Sequence, residues 1–320
     1  MPSILVTRRL PSSTVARLEA AGDVDIHNQN EPLPPAELLR RIAGKDAVVT
    51  MLTDDVNTTI LDAADRLKVV ANVAVGFNNI DVPYARTRGV IVTNTPDVLN
   101  EAVAAFTWAL ILAATRRLGE GERIVRRGAW PGWSFDFLLG TDPRGKQLGL
   151  IGFGRIARAV AAKAAAFGMH VAYTTRRPLD TPGDAVALSF DRLLNTSDIV
   201  SVHVPLTPET RHLLDRRALA RMKRSAYLVN TSRGPIVDEK SLVQALAEKR
   251  IAGAGLDVYE HEPMVEPGLV NLPNVVLTPH LGSAALDTRE RTAAILVENG
   301  IAVIEGRRPP NIYNPEIYSS

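Results

Sequence analysis

The chain of 320 residues contains no cysteine, which excludes a disulfide framework, a thiolate zinc site and a cysteine nucleophile. Its 37 basic and 35 acidic residues nearly cancel and form no long basic block. Neither nucleic acid nor a membrane surface is therefore expected as a partner, and small-molecule chemistry is the better reading.

The length favours two domains over one. In chain order, strand-like 3-SILVT-7 precedes helix-like 11-PSSTVARLEAA-21, and 46-DAVVTM-51 precedes 57-NTTILDAADRL-67 and 68-KVVANVAV-75. The apolar stretch before Thr7-Arg8-Arg9 is too short for a signal-peptide core. Strand candidate 89-GVIVTNT-95 leads into a long helical reading over 100–128, where Val103, Phe106, Leu110 and Ala113 recur at helical spacing. Its apolar part, 102–115, is too short to cross a bilayer, and a cytoplasmic protein is expected. Further strands are expected at 148–151, 169–175, 198–204, 226–230, 251–258 and 274–278, with helices between them. A last helical pattern, 286–306, is expected to return to the first domain, ahead of an irregular proline-bearing tail. Such alternation is the pattern of βαβ units. The fold class is α/β, with two doubly wound parallel-sheet (Rossmann-like) domains, the first of them discontinuous.

Gly152-Phe153-Gly154-Arg155-Ile156-Ala157 matches the G-x-G-x-x-G/A fingerprint, between a strand and an alanine-rich helix that runs to Gly168. The first glycine permits the tight turn, the second lets backbone amides approach a pyrophosphate, and the small third residue lets helix and strand pack closely. A dinucleotide is expected there, facing the positive end of the helix. An NAD site would place a carboxylate after the second strand, on the ribose 2′-OH. Here 169-MHVAYTT-175 is followed by Arg176-Arg177, and the first carboxylate is Asp180. With Thr174 and Thr175, two guanidiniums suit a 2′-phosphate, so NADP(H) is the preferred cofactor and NAD(H) a possible one. The plainer reading of the arginines is a solvated surface pair.

In a doubly wound sheet, ligands bind beyond the carboxyl ends of the strands. Arg233 follows 226-AYLVNTS-232, Glu262 follows 251-IAGAGLDVYEH-261, and His280 follows 274-NVVLTP-279. A carboxylate beside an imidazole favours the protonated ring, a general acid, while arginine can bind a carboxylate and polarise a carbonyl. The set fits ketone reduction by hydride transfer. Glu260 and His261 compete for the same roles, and spacing alone does not separate them.

The ordered motifs VGFNNIDV (75–82), GFGRIA (152–157), NTSRGPIVDE (230–239), GAGLDVYEHEP (253–263) and TPHLGSA (278–284) cover nearly the whole chain. In these the chain resembles the D-isomer-specific 2-hydroxyacid dehydrogenases, most closely the glyoxylate/hydroxypyruvate reductases. The resemblance implies a substrate-binding domain of residues 1–98 with 286–320, and a dinucleotide-binding domain of residues 99–285. It also implies that Arg233 binds the substrate carboxylate and keto oxygen, that Glu262 rather than Glu260 pairs with His280, and that His280 is the acid-base residue. Leu52, the amides of Val75 and Gly76, and Ser283 would line the substrate. Pro205, Thr231, Asp257 and Gly282 would line the cofactor, Asp257 near the nicotinamide amide.

The implied reaction is NADPH-dependent reduction of a small 2-oxo acid, glyoxylate or hydroxypyruvate, to the D-2-hydroxy acid. Leu52, and the lack of arginine in 50-TMLTDDVN-57, argue against a phosphorylated substrate. Val75 stands where a phosphite-oxidising relative would carry lysine. The alternatives are a larger 2-oxo acid such as 2-ketogluconate, or a dinucleotide-sensing, corepressor-like interaction protein. The aromatic segment 128-GAWPGWSFDFLLG-140 reads as a structural loop. By resemblance it is instead part of a homodimer interface on the dinucleotide-binding domain, with Trp133 reaching the partner's active site.

Overall fold

The computed structural model describes residues 1–177, 179 and 183–318, so Asp180 lies outside the described residues. The chain divides into two compact units, Met1–Leu99 with Ala285–Ser320, and Asn100–Ala284.

The first unit carries strands β1 (Ser3–Val6), β2 (Asp23–Ile26), β3 (Ala47–Met51), β4 (Val69–Val73) and β5 (Ile91–Thr93), paired in parallel in the order β2-β1-β3-β4-β5. Between them run helices α1 (Ser12–Ala21), α2 (Pro35–Ile42), α3 (Thr58–Ala63) and α4 (Val82–Thr87). The last two begin where Asn57 and Asp81 accept hydrogen bonds from the Ile60 and Tyr84 amides, satisfying donors that a helix start leaves unpaired. One face of the sheet is covered by sequence from the far end of the chain. Leu296 and Val297 pack with Ile4, Val6, Val49 and Val69, all essentially inaccessible to water, which makes the unit discontinuous. Each such side chain contributes about 1.5–3 kcal/mol by burial. The tail, irregular as its prolines suggest, is nevertheless anchored. Asn314 accepts from the Val92 amide at 2.9 Å and donates to the Val90 carbonyl at 3.0 Å, closing the open edge of β5.

The second unit opens with α5 (Asn100–Thr115) and α6 (Leu118–Arg126). Its strands are β6 (Gln147–Ile151), β7 (His170–Thr174), β8 (Val186–Ala187), β9 (Ile199–Val202), β10 (Tyr227–Asn230), β11 (Gly253–Leu256) and β12 (Val275–Leu277). They pair in parallel in the order β12-β11-β10-β9-β6-β7-β8. Helices α7 (Arg155–Ala164), α8 (Phe190–Thr196), α9 (Arg216–Arg221), α10 (Glu239–Ala247) and α11 (Pro267–Val270) connect them, and α12 (Leu286–Ile304) is the helix that returns to the first sheet. The order reverses between β6 and β9, the place where doubly wound sheets bind ligands.

Helices α2 and α4 and strand β8 have no counterpart in the sequence expectation, and two further differences have a physical cause. The single helix expected over 100–128 is broken: Arg117 adopts a left-handed backbone (φ 54°), and the Thr115 carbonyl at the end of α5 accepts from the Thr141 amide at 2.8 Å. α5 and α6 are thereby bent by 66°, and among the described residues no single helix is long and apolar enough to cross a membrane. Strand β2, sequence DVDI, alternates polar and apolar over only four residues, a signal too short to stand out; Val24 and Ile26 pack against the core of the first unit, and β1 supplies the hydrogen-bonding edge.

Candidate active site

Gly152 ends β6 with φ 89°, and a Cβ there would lie 2.5 Å from the His203 carbonyl oxygen and 2.9 Å from Val204 Cγ1. Only glycine makes this turn without displacing the end of β9. Gly154 then starts α7 in an extended backbone, with no side chain capping the helix, and a Cβ on it would meet nothing within 4 Å. The open space in front of an uncapped helix N-terminus fits a pyrophosphate. Ala157 is fully buried against the sheet, Ile156 is half-buried and Arg155 is exposed. Phe153 turns inward: its ring stacks on Tyr173 at 4.4 Å, with the Arg158 guanidinium 5.1 Å from the ring centroid.

β7 ends at Thr174, whose carbonyl accepts from the Gly152 amide at 2.9 Å. The Thr175 hydroxyl then donates to the Arg177 carbonyl at 2.6 Å, shaping a turn that leaves Arg176 and Arg177 exposed. The Glu209 carboxylate is held below its ordinary range by the Thr207 hydrogen bond, to which the charge of Arg176 adds. Pro205 lies exposed past β9, its carbonyl accepting from the Thr210 hydroxyl at 2.7 Å. The Thr231 hydroxyl, past β10, is 2.9 Å from the Thr107 hydroxyl of α5.

Arg233, Glu262 and His280 come from three loops at the carboxyl ends of β10, β11 and β12. His280 Nδ1 is 2.9 Å from Glu262 Oε2, and both side chains are about one-quarter exposed (27% and 25%). The other carboxylate oxygen of Glu262 accepts from the Tyr259 amide at 3.0 Å. Burial pushes the Glu262 carboxyl up, but the His280 contact, the Tyr259 amide and the charge of Arg233 outweigh it and hold the group below its ordinary range. Burial lowers Arg233 in turn, and the Glu262 charge partly restores it.

Gly234 explains how Arg233 comes this close. A Cβ on Gly234 would lie 1.8 Å from the Tyr259 carbonyl carbon and 2.4 Å from the Glu260 amide nitrogen, so the loop after Arg233 presses against the backbone that leads to Glu262. The competing acid is committed elsewhere. Glu260 Oε1 lies 2.6 Å from His212 Nε2, while His261 is exposed.

His280 itself has a left-handed backbone (φ 55°), and its loop is held from below by Asp257. This buried carboxylate (1% exposed) accepts from the Thr278 hydroxyl at 2.7 Å, the Leu281 amide at 2.7 Å and the Gly282 amide at 2.8 Å. The Tyr259 hydroxyl adds a bond to the Thr278 carbonyl at 2.9 Å, and burial pushes that phenol up to about 12. Gly282 is buried and Ser283 half-buried beyond it. None of these supporting contacts carries a sequence signal other than the buried Asp257 itself, whose three donors lie more than twenty residues downstream.

In the first unit, the loops past β3 and β4 hold Leu52, Val75 and Gly76, all half-buried. The Val75 carbonyl accepts from Asn94 Nδ2 at 3.0 Å and the Gly76 carbonyl from Asn72 Nδ2 at 2.9 Å. Asn79 ties the same turn to the β3 loop through the Met51 and Asp54 carbonyls at 3.1 and 3.0 Å. With both carbonyls engaged, the Val75 and Gly76 amides donate to no backbone carbonyl among the described residues. Sequence reading missed this clamp. Its one signal was a polar residue, Asn72, fully buried inside an otherwise apolar strand, where it must find partners. The aromatic segment of the second unit stays in water, with Trp130 59%, Trp133 83% and Phe135 87% exposed, so it does not complete the core of its own chain.

The family profile described as "D-isomer specific 2-hydroxyacid dehydrogenase, NAD binding domain" matches residues 108–282. A glyoxylate reductase of Thermofilum pendens is 45% identical over 324 residues, covering 99% of this chain and 95% of its own. Among solved structures, a protein of Thermus thermophilus superposes with a TM-score of 0.92 at 47% identity, covering 97% of this chain and 99% of its own. The NADPH-dependent glyoxylate/hydroxypyruvate reductase of Sinorhizobium meliloti, in complex with NADP and malonate, gives 0.88 at 33% identity, covering 97% of this chain and 96% of its own. The chain belongs to the D-isomer-specific 2-hydroxyacid dehydrogenase family.

Proposed function

We propose that the protein is a cytoplasmic, homodimeric reductase that converts glyoxylate or hydroxypyruvate to the D-2-hydroxy acid, with NADPH preferred over NADH. The 2.9 Å contact between His280 Nδ1 and Glu262 Oε2 carries the reading. It fixes the ring and places a negative charge where an imidazolium would need one, which leaves Nε2, the other ring nitrogen, as the atom that delivers a proton to the keto oxygen. A nicotinamide dinucleotide held at this turn would supply hydride chemistry for the keto carbon. Arg233 stabilises the charge developing on the oxygen, and the Val75 and Gly76 amides take the substrate carboxylate. Leu52 offers an apolar contact suited to a small substituent. Gly152 to Ile156 would hold the pyrophosphate, with Pro205, Thr231 and Gly282 along the dinucleotide.

For the cofactor, the exposed Arg176 and Arg177 beside Thr174 and Thr175 support a 2′-phosphate partner, and the Sinorhizobium relative is described as NADPH-dependent. Aromatic side chains this exposed support an interface with a second copy. Steady-state kinetics with both cofactors on glyoxylate, hydroxypyruvate and larger 2-oxo acids tests the reading, together with two variants. His280→Ala is expected to abolish turnover and leave NADPH binding nearly intact. The double replacement of Arg176 and Arg177 by Ala is expected to weaken NADPH far more than NADH. No turnover on any substrate by the parent protein refutes the enzyme reading, and equal losses for both cofactors return the arginines to a surface pair.

A further inference from the structure

His212 and Glu260 lie outside every role assigned above, yet they join the two loops on which the site depends. His212 has a left-handed backbone (φ 51°), a conformation glycine would adopt at least cost. Its amide donates to the Pro235 carbonyl at 2.8 Å, the Leu214 amide donates to Ile236 at 3.0 Å, and the Asp238 amide returns to Leu214 at 3.2 Å. Residues 212–214 thus run alongside the turn that immediately follows Arg233.

From that position the imidazole reaches Glu260 Oε1 at 2.6 Å. The Glu260 side chain is 14% exposed and that of His212 41%, so the carboxylate is held inside the loop while the imidazole closes over it from the surface. Glu260 is tied to α10 as well: its amide donates to Glu239 Oε1 at 2.8 Å, and its Oε2 accepts from the Glu239 amide at 3.4 Å. Its peptide is the one against which Gly234 is pressed, and Glu262 follows two residues later. One side-chain pair therefore closes a ring from 212–214 through the Arg233 turn and the 259–262 segment back to His212.

We infer that His212 and Glu260 are positioning residues, a pair that sets where Arg233 stands relative to the Glu262–His280 couple. The inference rests on the reading of Arg233 and His280 given above. His212→Gly removes the imidazole while easing the backbone, so the fold is kept and its thermal midpoint should not fall. Its kcat/KM for glyoxylate should fall about tenfold or more, through a higher KM and a lower kcat together, because small misplacements of reacting groups are costly. The Kd for NADPH should stay within about twofold, since the phosphate-binding turn is not in the ring. His212→Gln, whose amide can donate to Glu260, should recover most of the loss. Glu260→Ala should match His212→Gly, and the double variant should be no worse than either single one.

Unchanged kcat/KM in His212→Gly and Glu260→Ala overturns the inference. So does an additive double variant, a glutamine variant as impaired as the glycine one, or an equal loss of NADPH affinity. In each of those cases a parent protein that reduces glyoxylate keeps the proposed function standing, whereas an inactive parent refutes that reading and this inference with it.

Discussion

Replacing Gly234 by alanine places a methyl carbon 1.8 Å from the Tyr259 carbonyl carbon and 1.9 Å from its oxygen. Both partners are backbone atoms, so no side chain can swing away to relieve the clash. Carbon atoms in contact settle at about 3.5 Å, so the Arg233 loop and the segment leading to Glu262 must separate by about 1.7 Å. A misplacement of about 1 Å can cost about 100-fold in rate. We therefore expect kcat/KM on glyoxylate to fall at least about 100-fold, equivalent to about 2.7 kcal/mol of transition-state stabilisation. Overpacking should also lower folding stability by about 1–3 kcal/mol. The assay is NADPH consumption under steady-state conditions, with NADPH affinity followed by fluorescence and stability by urea unfolding of the same preparation. A folded variant with kcat/KM within about threefold of the parent would refute the argument that this contact sets the place of Arg233.

Gly152→Ala combines a positive φ with a Cβ 2.5 Å from the His203 carbonyl oxygen, and should weaken NADPH binding while leaving the His280–Glu262 contact in place; an unchanged NADPH titration would contradict the reading of the turn. Asp257→Asn exchanges one acceptor oxygen for an NH2 group facing amide donors, at a cost of about 1–3 kcal/mol, and should lower kcat by loosening the His280 loop; urea unfolding and turnover check both halves. The His203 ring, 2.9 Å from the Ser201 hydroxyl, is held by burial down to about 4 from 6.5. The unfolded chain takes up this proton first, so the stability from His203 is complete above pH 6.5 and declines toward pH 4 at up to about 1.4 kcal/mol per pH unit. His203→Gln should flatten that slope in urea melts across this range. Glu262 has the opposite dependence on charge but the same direction in pH. Its folded value lies below 4.5, so its stabilisation is present above pH 4.5 and disappears as pH falls through the lower folded value. The stability difference between the parent and Glu262→Gln should therefore shrink below pH 4.5, and a constant difference would rule the mechanism out.

Much of the fold was legible in the amino-acid order, because strand and helix periods are local properties. Apolar runs of four to eight residues alternating with amphipathic stretches suffice to specify parallel βαβ units, and a G-x-G-x-x-A between strand and helix suffices to mark a phosphate turn. What escaped was weakly signalled or depended on distant partners. β2 alternates polar and apolar over only four residues, too short a signal to stand out, and it pairs along the edge of β1. The helix over 100–128 breaks because Thr141 captures the carbonyl of Thr115, a contact no helical period can announce.

The candidate site divides in the same way. That polar residues follow β10, β11 and β12 could be read directly, and with the topology of a doubly wound sheet this put Arg233, Glu262 and His280 on the same end. The residues alone did not say which glutamate faces which histidine, since Glu260 and Glu262 sit two residues apart; only the family resemblance favoured Glu262 for His280. Tertiary structure separates them: Glu262 reaches His280 at 2.9 Å and Glu260 reaches His212 at 2.6 Å. Sequence by itself determined the chemistry on offer, because residue type sets what a side chain can donate, accept or charge. Only the tertiary structure decided the pairing, because hydrogen bonds and ion pairs are fixed by distances of a few ångströms between loops that the chain brings together from far apart.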